Sequence, residues 1–106
     1  MTAPAAAGAS GGPAPAASIV VPVFNEEANL RPLYARLAPV MDGIAGGAEA
    51  IFVDDGSADH SLDLLRELAA ADPRVRVLSF NRNYGQHAAV MAGFEVTRGE
   101  TVVTLD

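Results

Sequence analysis

Asn81-Arg-Asn-Tyr-Gly-Gln-His-Ala-Ala-Val-Met-Ala-Gly-Phe94, followed beyond Arg98-Gly99 by Thr101-Val-Val-Thr-Leu-Asp106, decides the fold. The stretch reads as a loop, a helix opened by glycine, and a buried strand that ends on a carboxylate. At a helix start the free backbone N–H groups and the positive end of the dipole point outward and can bind a phosphate. A carboxylate such as Asp106, at the carboxyl end of a neighbouring parallel strand, can hold a divalent cation against that phosphate. The helix is expected from about Gly85 to Thr97. Ala88, Ala89, Ala92 and Gly93 mark its inward side and let it lie close to a sheet.

Working outward, Ser18-Ile-Val-Val-Pro-Val-Phe24 is a run rich in β-branched residues, a first buried strand. Pro22 cannot donate to a ladder, so it belongs near the strand's carboxyl end. Asn25-Glu-Glu suits a helix first turn, and Leu30, Leu33, Tyr34, Leu37, Val40 and Met41 recur at helical spacing. Pro39 is expected to kink or shorten that helix. Glu49 to Asp54 is a second strand. Asp55-Gly56-Ser57-Ala58-Asp59 turns into a second helix, with Ser57 or Asp59 as its N-cap and Leu62, Leu65, Leu68 and Ala69 as its buried stripe. Asp72-Pro73 closes it, and Arg74 to Phe80 is a third strand, nearer a sheet edge.

Strand and helix alternate throughout, which predicts an α/β layered fold: a mostly parallel sheet with helices on both faces. Strand four is apolar on both faces, as a central parallel strand is. As a last element it would lie uncovered at an edge. The sequence therefore reads as the first part of a longer domain, a truncated one over residues 18–106. Residues 1–17 are alanine, glycine and proline without a large apolar side chain, and read as a disordered leader rather than a secretory signal.

Composition excludes several classes. Seven arginines, no lysine and thirteen carboxylates give a net charge of −6, which argues against nucleic-acid binding. A phosphorylated ligand would need a cation as well as arginines. The absence of cysteine rules out disulfides and thiolate metal sites and points to a reducing compartment. No apolar run is long enough to cross a bilayer.

Polar features gather at the strand ends, where open α/β sheets bind ligands. Pro22-Val-Phe-Asn-Glu-Glu27 follows strand one, and no glycine-rich dinucleotide turn is present there. Asp54-Asp55-Gly-Ser ends strand two; a carboxylate there can accept from the N–H edge of a base or hold a metal. After strand three, Arg82 can meet a base carbonyl or a phosphate, and Gly85 permits close backbone approach. His87 reads as a partly buried structural histidine, and Tyr84 and Phe94 as core. Asp106 is the fourth such feature. Four on one rim are hard to attribute to capping.

Together, Val21-Pro-Val-Phe-Asn-Glu-Glu27, Phe52-Val-Asp-Asp-Gly-Ser-Ala-Asp59 and Thr104-Leu-Asp106 closely resemble the family-two glycosyltransferases of A-type, Rossmann-like fold. Asn81-Arg-Asn-Tyr-Gly-Gln-His87 with Met91-Ala-Gly-Phe94 is similar to a narrower branch, the polyprenyl-phosphate sugar transferases. These include undecaprenyl-phosphate aminoarabinose-type and glucosyl-type enzymes and, more distantly, dolichol-phosphate mannose synthase.

The resemblance implies transfer of a sugar from a nucleotide-diphosphate sugar, a UDP-sugar in this branch, to a polyprenyl phosphate on the cytoplasmic side of a membrane. Pro22, Phe24, Glu26, Asp54 and Asp55 would form the nucleotide pocket, and Arg82 and Gly85 would lie along the nucleotide and its diphosphate. Asp106 would be the first aspartate of an Asp-x-Asp motif, binding Mg²⁺ or Mn²⁺ at the catalytic centre. Strand order would be 3-2-1-4. The second aspartate, the acceptor-side half and the membrane segments would lie outside these residues, leaving the chain alone inactive. The alternative from another class is a phosphorelay receiver domain, with Asp54-Asp55 as the acidic pair and Asp106 as phospho-acceptor. Against it, the pair follows strand two rather than strand one. A third possibility is an inactive nucleotide-binding remnant.

Overall fold

The computed structural model describes residues 14–105; residues 1–13 of the expected leader, and Asp106, lie outside them. The elements follow in the order β1 (Ala17–Val23), α1 (Glu27–Asp42), β2 (Ala48–Asp54), α2 (Ser61–Ala71), β3 (Val75–Ser79), α3 (Gln86–Glu95) and β4 (Thr101–Thr104). The strands form one parallel sheet ordered β3-β2-β1-β4. The order reverses between β1, which starts the chain's outward run to β3, and β4, which returns to β1's other side. A receiver domain would instead place β1 between β2 and β3.

Side chains alternate across β1 and β2 and so build two cores. Ile19, Val21, Val23, Ala50 and Phe52 pack beneath Leu30, Leu37 and Met41 of α1 and Leu65, Leu68 and Ala69 of α2. Val20, Ile51 and Val53 face the other way, with Leu78, Phe80 and the α3 residues Ala89 and Ala92. Helices therefore cover both faces. A Cβ at Gly93 would come within 2.4 Å of Val20 Cγ1, so glycine is what lets α3 settle on the sheet.

Pro22 remains in register, opposite Val53. The Val20 carbonyl accepts the Leu105 N–H. By the two-residue alternation Pro22 faces that same side, past the last paired β4 residue, so its missing N–H interrupts no ladder.

Several local expectations are corrected. Pro39 lies inside α1, which continues to Asp42 and is closed by Gly43. Val40 falls to the side of the buried stripe and is 57% exposed. Phe94 and Tyr84 are exposed rather than core, and Met91 is exposed as well. On α3 the small residues take the inward side, so the large ones point outward. His87 is exposed as well. The residues of β4 are exposed, as expected for a strand at an open edge.

The amino-end rim of the sheet is tied by a buried polar cluster. Glu49 accepts from Ser18 Oγ (2.6 Å), Arg76 (2.9 Å) and the Arg98 N–H (2.7 Å). The Gly99 N–H donates to Ser18 Oγ at 2.8 Å. This cluster fixes the turn from which β4 starts.

Candidate nucleotide site

The opposite, carboxyl-end rim carries three loops, one after each of β1, β2 and β3. The middle one, Asp55-Gly56-Ser57, is the hub. Asp55 is buried, and its Oδ1 accepts the Tyr84 N–H at 2.7 Å while Oδ2 accepts the Gly85 N–H and Asn83 Nδ2, each at 3.0 Å. Gly56 has φ +73° and lies against the third loop; a Cβ there would sit 2.3 Å from the Arg82 carbonyl carbon. Only glycine satisfies both conditions.

Toward the first loop, Ser57 Oγ accepts the Asn25 N–H at 2.9 Å and Asn25 Oδ1 accepts the Ala58 N–H at 2.8 Å. Ser61 Oγ accepts the Glu26 N–H, and Asp59 accepts the Glu27 N–H as well as the Ser61 N–H. Ser57 thus serves the start of α1, and Asp59 serves the starts of both α1 and α2. The N-cap position of α2 is His60, which makes no side-chain cap bond. The hydrogen bond from Ser61, with the N–H groups of Ser61 and Glu27, holds the Asp59 carboxyl below its usual range.

Between the loops lies a cleft of about 420 Å³. Of the residues expected at the site, Pro22, Phe24, Glu26, Asp55 and Gly85 line it. Asp54 does not line it and is 2% exposed; its Oδ2 is 3.4 Å from the Ser57 N–H and its Oδ1 has no hydrogen-bond partner. Arg82 does not line the cleft; its guanidinium stands 5.0 Å from the centre of the Tyr84 ring. Asp106 lies outside the described residues. Val23, Asn83 and Gln86 also line the cleft and were not singled out from sequence. Asn83 and Gln86 flank the Tyr84-Gly85 pair, which was the available signal.

Phe24, 47% exposed, offers a ring face, and Glu26, Asn83 and Gln86 offer polar groups around it. No arginine lines this space. The open side of Gly85 (nothing lies within 4 Å of where a Cβ would be) leaves room for a ligand against the start of α3. Such a cleft suits a flat, hydrogen-bonding ring followed by a polar tail. Among the described residues no group of three or more His, Cys, Asp or Glu could hold a metal ion, so they do not by themselves fit a metal centre.

The family model for glycosyl transferase family 2 matches residues 18–106. The chain is 49% identical over 90 residues to an undecaprenyl-phosphate 4-deoxy-4-formamido-L-arabinose transferase of Aeromonas hydrophila, covering 84% of this chain and 28% of that protein. It is 45% identical over 89 residues to the uncharacterized glycosyltransferase YkcC of Bacillus subtilis, with the same coverage. The chain thus spans less than a third of the length of these curated relatives. Among solved structures, S. aureus TarS 1–349 in complex with UDP superposes with a TM-score of 0.74 at 26% identity, over 85% of this chain and 26% of that one. By the family match and the fold alike, the chain belongs to glycosyl transferase family 2.

Proposed function

We propose that residues 18–106 form the nucleotide-binding half of a glycosyltransferase that moves a sugar from a UDP-sugar to a polyprenyl phosphate. The observation that carries this reading is the cleft itself. It is built on the carboxyl-end rim from two of the motifs that carry the family resemblance, residues 21–27 and 52–59, and from the 81–87 stretch of the narrower branch, in a fold shared with a protein solved with UDP. Phe24 would stack on or flank the base, Asp54 would face the base from the end of β2, and Gly85 would let the diphosphate approach the start of α3.

The acceptor phosphate is already ionised and needs little help from a general base. Stabilising the leaving diphosphate is the harder task. Mg²⁺ or Mn²⁺ would supply that charge with Asp106 as a ligand, and the described residues do not complete such a site. No described helix is long and apolar enough to cross a membrane. Association with the cytoplasmic face of a membrane is therefore assigned to segments outside the described ones. By themselves these residues are expected to bind nucleotide weakly and not to turn over.

A chimera tests the reading. Residues 18–106 replace their counterpart in the Aeromonas transferase, and formation of the undecaprenyl-phosphate-linked sugar is followed. Product formation is expected. A folded, membrane-inserted chimera that makes no product contradicts the proposal.

A further inference from the structure

Asn25 does not line the cleft, yet the residues on either side of it do. Among the described residues it is the one non-glycine residue with a positive φ, +53°. Asparagine tolerates this left-handed region better than most L-residues, and bulky or β-branched side chains do so poorly. The turn lets Asn25 reach away from the cleft while Phe24 and Glu26 face it. Its backbone N–H and its side-chain Oδ1 engage consecutive residues of the β2–α2 loop, Ser57 at 2.9 Å and Ala58 at 2.8 Å. That loop in turn holds the opposite wall through Asp55 and the Gly85 N–H.

We propose that Asn25 is a positioning residue for the site. Its left-handed turn and its paired bonds to Ser57 and Ala58 set the placement of the Phe24–Glu26 wall relative to the Asp55–Gly85 wall. The effect on ligand rests on the nucleotide reading given above; the coupling between the walls does not.

Three variants of the 106-residue chain separate positioning from simple stability. Asn25→Asp keeps an acceptor and tolerates the left-handed turn. Asn25→Gly keeps the turn and loses the side-chain bond. Asn25→Ala loses the bond and opposes the turn. The probes are UDP titration at millimolar concentrations and amide hydrogen exchange followed by NMR.

Asn25→Asp is expected to bind UDP within about twofold of the parent, and the Gly and Ala variants about tenfold more weakly in the folded fraction. Protection of the Ala58 and Gly85 amides should fall in the Gly and Ala variants and persist in Asn25→Asp, with the Val53 amide unchanged throughout. Unaltered UDP affinity in the Gly variant overturns the proposal even if its melting temperature drops. If the parent binds no UDP, the nucleotide reading fails, and exchange still decides the coupling. Loss that spreads from Ala58 to Gly85 supports it; loss confined to Ala58, or absent, overturns it.

Discussion

The Asp55 carboxylate accepts the Gly85 N–H at 3.0 Å, so the residue just after β2 holds the residue just before α3. The same carboxylate takes the Tyr84 N–H and Asn83 Nδ2, which leaves little of its hydrogen-bonding capacity for a ligand. Asp55 shapes the cleft wall. Its neighbour Asp54 is buried and keeps one carboxylate oxygen without a hydrogen-bond partner.

Asp55→Asn keeps the shape but offers one acceptor oxygen where two backbone N–H groups converge. One N–H is then stranded, which should cost about 1–3 kcal/mol. Chemical denaturation measures the loss, and the Gly85 amide should exchange faster. A variant as stable as the parent would show that the Asp55 bonds contribute nothing net.

Gly56 and Gly47 both have positive φ, but their surroundings differ. At Gly47 nothing lies within 4 Å of the position a Cβ would take, whereas at Gly56 the Arg82 carbonyl carbon is 2.3 Å away. Gly47→Ala should cost about 1 kcal/mol from backbone strain alone. Gly56→Ala should cost at least about 3 kcal/mol, because strain and a backbone clash add. Comparable melting temperatures for the two variants would refute the close packing of the second and third loops.

Glu49 is the centre of the amino-end cluster, with its side chain 5% exposed and its partner Arg76 12% exposed. Glu49→Ala leaves that guanidinium buried without its carboxylate and should cost about 3–5 kcal/mol. Because Glu49 also takes the Arg98 N–H, the β4 amides should lose protection before those of β2. Uniform loss across the sheet would contradict a specific hold on β4.

Acid should destabilise the fold through Asp72. Burial pushes its carboxyl up, but hydrogen bonds from Arg74 and Tyr34 outweigh this and pull it down to about 2. An unfolded aspartate titrates near about 3.9. The depressed value means that the contribution is complete above about pH 5, begins to fall as the unfolded aspartate protonates, and is lost as pH falls through the folded value, on the order of 2 kcal/mol in all. Glu49 adds in the same direction, since the bonds from Ser18, Arg98 and Arg76 more than offset its burial. Stability measured by urea unfolding should therefore hold from neutral pH to about pH 5 and then decline. In Asp72→Asn the decline between about pH 4 and 2 should be shallower.

The strands and the layering are legible because β1 and β2 are compact β-branched runs and the helical stripes are regular. The same legibility fails where partners are distant in sequence. Ser57 and Asp59 look like local caps for α2. Their bonds to Asn25 and Glu27 appear only once the two loops are side by side. Phe94 looks like core because apolar character does not say which side of a helix faces in. On α3, Ala89, Ala92 and Gly93 claim that side by their small size. Asn83 and Gln86 line the cleft, and their one mark in the sequence is that they flank the Tyr84-Gly85 pair.

The most direct test of the nucleotide site is a ¹⁵N NMR titration of the 106-residue chain with UDP. Shifts should concentrate in Phe24 to Glu26, Asp54 to Ser57 and Asn83 to Gln86, and leave the Ser18, Glu49 and Arg76 end of the sheet untouched. Shifts confined to that opposite rim, or none at millimolar UDP, would contradict the assignment of the cleft.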